Sequence, residues 1–160
     1  MRAGEFSAAI EGASKIKGSF EPGETIRLLL ESMRATEHFD AACSAALTAG
    51  YDHEWIRAKM LEWTAIRQAL RGDFDSALFT AYEIKGDSLR WEALRRIAVE
   101  GANVGSGELA HRIFESVADA AQQAEARPEW RAEELGKTAN AQAGAGDSAG
   151  ARRSFAVALS

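Results

Sequence analysis

Cysteine, proline and β-branched residues are scarce in this chain of 160 residues. Cys43 is the single cysteine, so no internal disulfide can form, and its alanine-rich surroundings favour a small buried residue over a nucleophile. Only two prolines interrupt the chain, and Val, Ile and Thr together number 18 against 33 Ala. Because alanine favours helix and β-branched residues favour strands, this balance predicts an all-α protein.

Long apolar runs and excess positive charge are also missing. No apolar stretch approaches the roughly 18–20 residues that span a bilayer, which excludes membrane insertion. The formal charge of −5 argues against nucleic-acid binding, which requires a basic surface. The first residues contain no basic segment followed by an apolar one, so the sequence predicts a cytoplasmic protein. A leader removed before residue 1 stays open as an alternative.

An internal repeat accounts for most of the chain. The frame from Arg57 to Asp73 recurs from Arg131 to Asp147, with every matching element shifted by 74 residues. A third copy runs from Arg90 to Gly105, so that each Arg precedes its Gly by 15 residues. A second pattern follows the first and is clearest in Gly72-Asp73-Phe74-Asp75-Ser76-Ala77, which continues to Ala81 and Ile84. Its copies start at residues 4, 37, 72, 105 and 146, at intervals of 33, 35, 33 and 41. Such periodicity predicts a stacked array of one supersecondary unit.

Each unit is predicted to be a helical hairpin, with a first helix before the Gly and a second helix after it. Apolar and small residues recur at helical spacing on both sides of that Gly, as at Leu61 and Ala65 and at Ala77 and Ala81. The Gly-Asp pair supplies the turn, since Gly ends a helix and Asp caps the next one. Helices are predicted near residues 5–17, 22–35, 38–49, 54–71, 73–85, 88–103, 106–126, 128–145 and 147–159.

Alanine occupies fixed places in this frame. Because neighbouring helices approach closely only where side chains are small, these alanines are predicted to be buried at helix contacts. They are Ala65, Ala98 and Ala139 on first helices and Ala9, Ala42, Ala77, Ala110 and Ala151 on second helices.

The units resemble tetratricopeptide repeats. The second helix of that family typically opens with Gly-Asp-aromatic-Asp-x-Ala, which Gly72-Asp73-Phe74-Asp75-Ser76-Ala77 matches. The resemblance covers nearly the whole chain and implies one domain over residues 1–160, an α-α superhelix (solenoid) of about four and a half antiparallel hairpins and roughly nine helices. Its units are about 4–17, 22–49, 54–85, 88–126 and 128–159. The chain departs from the family at Gln68, Gly101 and Gln142, where an aromatic residue is usual.

Residues suited to catalysis or metal binding are few and scattered. His38, His53 and His111 lie in different units, and no metal site is predicted. The acidic residues beside His53 fit a helix start, where the helix dipole favours negative charge. The glycine-rich segment 101–107 lacks the Lys-Ser/Thr ending of a phosphate loop and follows no strand. The sequence therefore predicts no catalytic residue, no cofactor and no enzymatic activity.

The resemblance implies a concave groove, lined by the first helices, as the site for a protein partner. A helix or extended segment of that partner is expected to bury Ile66 and Val99. Trp63 lies off the stripe of Leu61 and Ala65 and is predicted to be an exposed anchor. The candidate groove residues are Lys59, Glu62, Trp63, Ile66, Glu92, Arg95, Val99 and Asn140. Three other tryptophans are predicted to pack between units, namely Trp55, Trp91 and Trp130.

Two functions follow as hypotheses. The first is a non-enzymatic interaction module or scaffold that binds a protein partner. The second is a structural or accessory subunit of a larger assembly, because the array begins and ends on second helices and shows no polar capping helix. Open ends of this kind predict self-association or a permanent partner.

Overall fold

A computed structural model describes residues 53–159, apart from the side chains of residues 53, 55 and 56. Contacts group the chain into two compact units, Met1–Met60 and Leu61–Ser160. Most of the described residues belong to the second unit, and the account below concerns that unit. The assignment of residues 1–160 to a single repeat domain stays a prediction.

The described part of the chain is helical, with no strand between residues 53 and 159. Its six helices are α1 (His53–Leu70), α2 (Phe74–Tyr82), α3 (Asp87–Asn103), α4 (Gly107–Gln123), α5 (Pro128–Gly144) and α6 (Ser148–Ala158). The all-α prediction is confirmed for this part. Three further predicted helices lie outside the described residues, near 5–17, 22–35 and 38–49. None of the six described helices combines the length and apolarity that crossing a bilayer requires.

The same turn joins α1 to α2, α3 to α4 and α5 to α6. At its centre Gly72, Gly105 and Gly146 adopt φ values of 80°, 84° and 84°, a left-handed conformation that glycine tolerates best. The residue after each glycine donates its backbone N–H to the carbonyl five positions earlier, and the glycine N–H bonds the carbonyl three positions earlier. This is the Schellman arrangement, which satisfies the last carbonyls of a helix. The first bond is Asp73 N to Gln68 O (3.0 Å), Ser106 N to Gly101 O (2.8 Å) and Asp147 N to Gln142 O (2.8 Å).

Aspartate follows the glycine in two of the three turns and caps the next helix. The Asp73 carboxylate accepts from Ser76 N at 3.2 Å, and the Asp147 carboxylate accepts from Gly150 N at 2.9 Å. Ser106 makes no side-chain cap bond. Pro128 stands in the first turn of α5, where its missing N–H costs no hydrogen bond.

The helices pack in a nearest-neighbour pattern. Helix α3 contacts α2, α4 and α5, and α4 in turn contacts α5 and α6, while α5 and α6 pack together. The described alanines of the repeat frame are buried as predicted: Ala65, Ala77, Ala98, Ala110, Ala139 and Ala151. Phe114, Ile84, Ile97 and Val117 supply the largest fully buried apolar side chains. Small residues therefore stand where these helices meet, and a few larger ones fill the remaining core.

Trp91 and Trp130 pack between two successive first helices, α3 and α5. Their ring centroids lie 5.2 Å apart and the ring planes are inclined at 40°. This distance and tilt fall within the range that aromatic pairs favour. The prediction that these tryptophans lie between units is confirmed for this pair, while the side chain of Trp55 lies outside the described ones.

Candidate functional site

A buried ion pair connects the first helices α3 and α5. Arg95 Nη1 lies 3.0 Å from Glu134 Oε2, and the two side chains are 5% and 0% exposed. The second guanidinium nitrogen of Arg95 bonds Glu92 Oε2 at 2.9 Å, one turn earlier on α3. Arg95 therefore bridges two carboxylates, one on its own helix and one on the next first helix.

Both carboxylate oxygens of Glu134 accept hydrogen bonds from neighbouring side chains. Ser88 Oγ donates to its Oε1 at 3.1 Å, and Lys137 Nζ donates to the same oxygen at 2.8 Å. Burial alone would raise the pKa of Glu134, but the hydrogen bond from Lys137 and the charge and hydrogen bond of Arg95 outweigh it. The pKa of Glu134 consequently lies below its ordinary value of 4.5. The carboxylate is ionised at neutral pH and fully satisfied.

A second ion pair connects α3 to α1. Arg96 Nη1 lies 3.5 Å from Glu62 Oε1. Because consecutive helical residues point about 100° apart, Arg95 and Arg96 reach opposite neighbours of α3. Each described first helix is therefore tied to the next by one carboxylate and one arginine. We call the groups Glu62, Arg96, Arg95, Glu92, Glu134, Lys137 and Ser88 the first-helix network.

The predicted groove residues divide into two groups. Glu62 and Arg95 are buried within the first-helix network, and Ile66 is buried in the core. Glu92 and Val99 are partly exposed on α3, and Asn140 is exposed on α5. Lys59, which belongs to the first compact unit, is partly exposed. The structure thus leaves Glu92, Val99 and Asn140 accessible in the second unit, and nothing in it tests whether they bind a partner.

The expectation that Trp63 is an exposed anchor is wrong, because its side chain is only 6% exposed. The expectation assumed that α1 has a single buried stripe. Glu62, Trp63, Ala65 and Ile66 are all buried, and four such residues in five consecutive positions cover more than one face of a helix. Helix α1 is therefore enclosed over a wide arc, and Trp63 belongs to the core.

A cluster of ionisable groups joins α4 to the beginning of α6. His111 Nδ1 lies 2.8 Å from Asp147 Oδ2, and Arg153 Nη2 lies 2.8 Å from Glu115 Oε1. Burial opposes ionisation of Asp147, but hydrogen bonds from His111 and from Gly150 N–H lower its pKa below the ordinary value. We call His111, Glu115 and Asp147 the α4–α6 cluster.

A cleft lined by both apolar and polar side chains lies beside the last turn of α6. It has a volume of about 600 Å³ and is lined by α4, by the start of α5 and by residues 157–159. Leu135, Val157 and Leu159 supply its larger apolar side chains, and Glu129 and Arg131 supply charges of opposite sign. Leu159 is 88% exposed, so an apolar side chain here is left largely in contact with water.

Sequence reasoning missed the α4–α6 cluster and the inter-helix ion pairs. The spacing of His111 and Glu115, one helical turn apart, is visible in the sequence, but Asp147 is 36 residues from His111. Arg95 and Glu134 are likewise 39 residues apart.

Comparisons with protein-family models, with curated proteins and with solved structures found no match for this chain.

Proposed function

We propose that this chain is a non-enzymatic protein-interaction module. Its architecture in this proposal is a tetratricopeptide-like solenoid of about four and a half hairpins and roughly nine helices. The observation that carries the proposal is the recurrence of one Schellman turn at Gly72, Gly105 and Gly146, the glycine positions of the sequence repeat. A turn that recurs in register with the sequence supports a repeated structural unit.

The packing pattern supports the same architecture. In a stacked array each element contacts only near neighbours in sequence, as α3, α4, α5 and α6 do. The buried charges also support a binding role over a catalytic one. Arg95 and Glu134 are engaged in inter-helix ion pairs and hydrogen bonds, so they hold helices together and are not poised toward a reacting group.

The partner in this proposal lies across the accessible part of the first helices, against Glu92, Val99 and Asn140. Arg95 is saturated by two carboxylates and does not offer a free guanidinium to a terminal carboxylate of the partner. The surface is mixed in character, with an acidic group, an apolar side chain and an amide. It suits a helix or extended segment that presents one apolar residue flanked by polar ones.

Affinity capture with three bait variants tests this proposal. Val99→Arg with Asn140→Arg adds bulk and charge to the first-helix face. Arg112→Glu with Arg152→Glu is the matched control, since both residues are exposed on second helices. We expect the first pair to abolish capture of the partner that the unmodified chain retains, and the second pair to preserve it. Unchanged helicity in circular dichroism must accompany the loss.

The opposite pattern contradicts the proposal. If the α3 and α5 variant retains the partner while the second-helix control loses it, the binding surface lies on the second helices. If neither pair changes capture, the partner does not occupy either face.

The cleft beside the last turn of α6 favours a second candidate function, a structural or accessory subunit of a larger assembly. Its volume and the exposed Leu159 suit an apolar side chain from another protein or from a second copy of the chain. Leu159→Lys forms the third arm of the same capture experiment. Loss of the partner in this arm alone, with the Val99 and Asn140 variant still active, favours the accessory-subunit function.

A further inference from the structure

The α4–α6 cluster has the composition of a metal site. His111 and Glu115 are one turn apart on the same face of α4, and Asp147 approaches them from the turn before α6. One ligand atom from each residue lies within 4.8 Å of the other two. The cluster therefore gathers one imidazole and two carboxylates, contributed by two separate elements of the fold.

A buried amide beside the cluster provides a second, independent observation. Gln142 is fully buried, and its Nε2 has no hydrogen-bond partner within the described residues. Its Oε1 accepts from Ser154 Oγ at 2.8 Å. A Cβ placed on Gly150 would touch both the Gln142 amide nitrogen and Asp147 Oδ2, so these two side-chain ends face each other across Gly150.

A half-turn of the Gln142 amide exchanges its nitrogen and oxygen. The Ser154 hydroxyl can accept a hydrogen bond as well as donate one, so the contact with Gln142 survives the exchange. The amide oxygen then points toward Asp147. Gln142, whose amide nitrogen has no hydrogen-bond partner in the first orientation, thus offers an oxygen ligand to a metal ion in the second.

We propose that His111, Glu115 and Asp147 bind a zinc ion, with the amide oxygen of Gln142 as a fourth ligand. Zinc accepts imidazole nitrogen and carboxylate oxygen in a four-coordinate site, and its charge balances the two carboxylates. Calcium and magnesium prefer sets of oxygen ligands without imidazole. The donor set therefore selects zinc over these two ions. This inference is independent of the proposed partner surface.

Both carboxylates are able to reach the ion without loss of the fold. Asp147 caps α6 through Oδ1, while Oδ2 faces His111, so one oxygen continues to cap the helix as the other binds zinc. Glu115 bonds Arg153, whose side chain is 54% exposed and can turn into solvent. Bound zinc would replace Arg153 as the partner of Glu115 and connect α4 directly to α6.

The test is a titration of the full chain, freed of metal by a chelator, with Zn²⁺ in a calorimeter and in thermal unfolding. We expect Zn²⁺ to raise the midpoint temperature of unfolding, because an ion that binds only the folded state stabilises it. Mg²⁺ should have no comparable effect on that temperature. His111→Ala and Glu115→Ala remove a ligand atom and should each weaken this binding about tenfold or more, since loss of a hydrogen bond to a ligand alone costs that much. Glu108→Ala is the matched control, an exposed carboxylate on the same helix, and should leave binding unchanged.

Arg153→Gln separates a metal site from a set of structural ion pairs. It removes the cation that competes for Glu115, so we expect tighter Zn²⁺ binding, whereas a purely structural role predicts only weaker stability without zinc. Absence of any zinc-dependent shift overturns the proposal. Equal binding by the unmodified chain and by both cluster variants also overturns it, because the ion would then be bound elsewhere. Circular dichroism confirms that each variant is folded.

Discussion

Replacing Glu134 by glutamine should destabilise the second unit strongly, whereas the same change at Glu133 should not. Both carboxylates lie 2.8 Å from the same Lys137 ammonium, but Glu134 is 0% and Glu133 62% exposed. Glu134→Gln removes the negative charge on α5 that pairs with Arg95, itself 5% exposed, and leaves on α5 only neutral contacts such as the Thr138 hydroxyl at 3.5 Å. Removing one member of a buried pair costs about 3–5 kcal/mol. Because Arg95 retains Glu92, we expect the lower end, about 3 kcal/mol.

Glu133→Gln is the matched control for this experiment. An exposed ion pair contributes between about 0 and 1 kcal/mol, so the control should fall in that range. The assay is urea unfolding followed by tryptophan fluorescence, since Trp91 and Trp130 lie between the same two helices that Arg95 and Glu134 connect. Equal losses for the two variants would refute the argument, because burial would then have no influence on the strength of the pair.

The effect of Glu134→Gln should depend on pH in a defined direction. The folded pKa of Glu134 is depressed below 4.5, so ionisation stabilises the fold at any pH above that value. The stabilisation declines as the pH falls through the folded pKa, where the wild-type carboxylate becomes neutral. The difference between wild type and variant should therefore be constant from about pH 6 to 7 and shrink below 4.5. A difference that grows on acidification would contradict this sign.

Three further substitutions test the close packing of the helices. Ala98→Leu inserts extra atoms at a buried helix contact and should destabilise by roughly 1–3 kcal/mol in urea unfolding, and a neutral result would contradict close approach of the helices. Gly150→Ala and Gly136→Ala should have opposite signs. A Cβ at Gly150 would lie 2.8 Å from Asp147 Cγ, whereas one at Gly136 meets nothing within 4 Å, so alanine there should stabilise α5 by up to about 1 kcal/mol. Destabilisation at both glycines would show that helix packing does not explain Gly150.

The helices and turns were predictable because their signals are local. A glycine that ends one helix and an aspartate that caps the next stand side by side at Gly146-Asp147, and the structure uses both as predicted. The predicted end of α2 is less accurate, since the pattern places it near residue 85 and the helix ends at Tyr82. Beyond Tyr82 the N–H of Ile84 bonds the carbonyl of Ala81, three residues earlier, which is the tighter 3-10 pattern that often closes an α-helix.

The candidate site was harder to predict because it depends on how successive helices are rotated against each other. The repeat pattern placed Glu62 and Arg95 on first helices, but sequence spacing does not reveal that each meets a charge on a neighbouring helix. Gly101 gives a further example. It stands where the resembling family usually has an aromatic residue, and a Cβ there would lie 3.7 Å from the ring of Phe74. A ring from α2 occupies the adjacent space, which no pattern within α3 could indicate.

Arg95 and Arg96 are consecutive on α3 and pair with carboxylates on α5 and α1, and salt should weaken these two ion pairs to different extents. The bond from Arg95 to Glu134 is shielded from solvent, but Arg96, which holds Glu62, is 38% exposed. The screening length in water is about 8 Å at physiological salt and about 3 Å at 1 M, and buried pairs are screened far less than exposed ones. Concentrated salt should therefore loosen α1 from α3 before it affects α3 and α5. Among the described helices, the ion pair between α1 and α3 is therefore weakened by salt more than the one between α3 and α5.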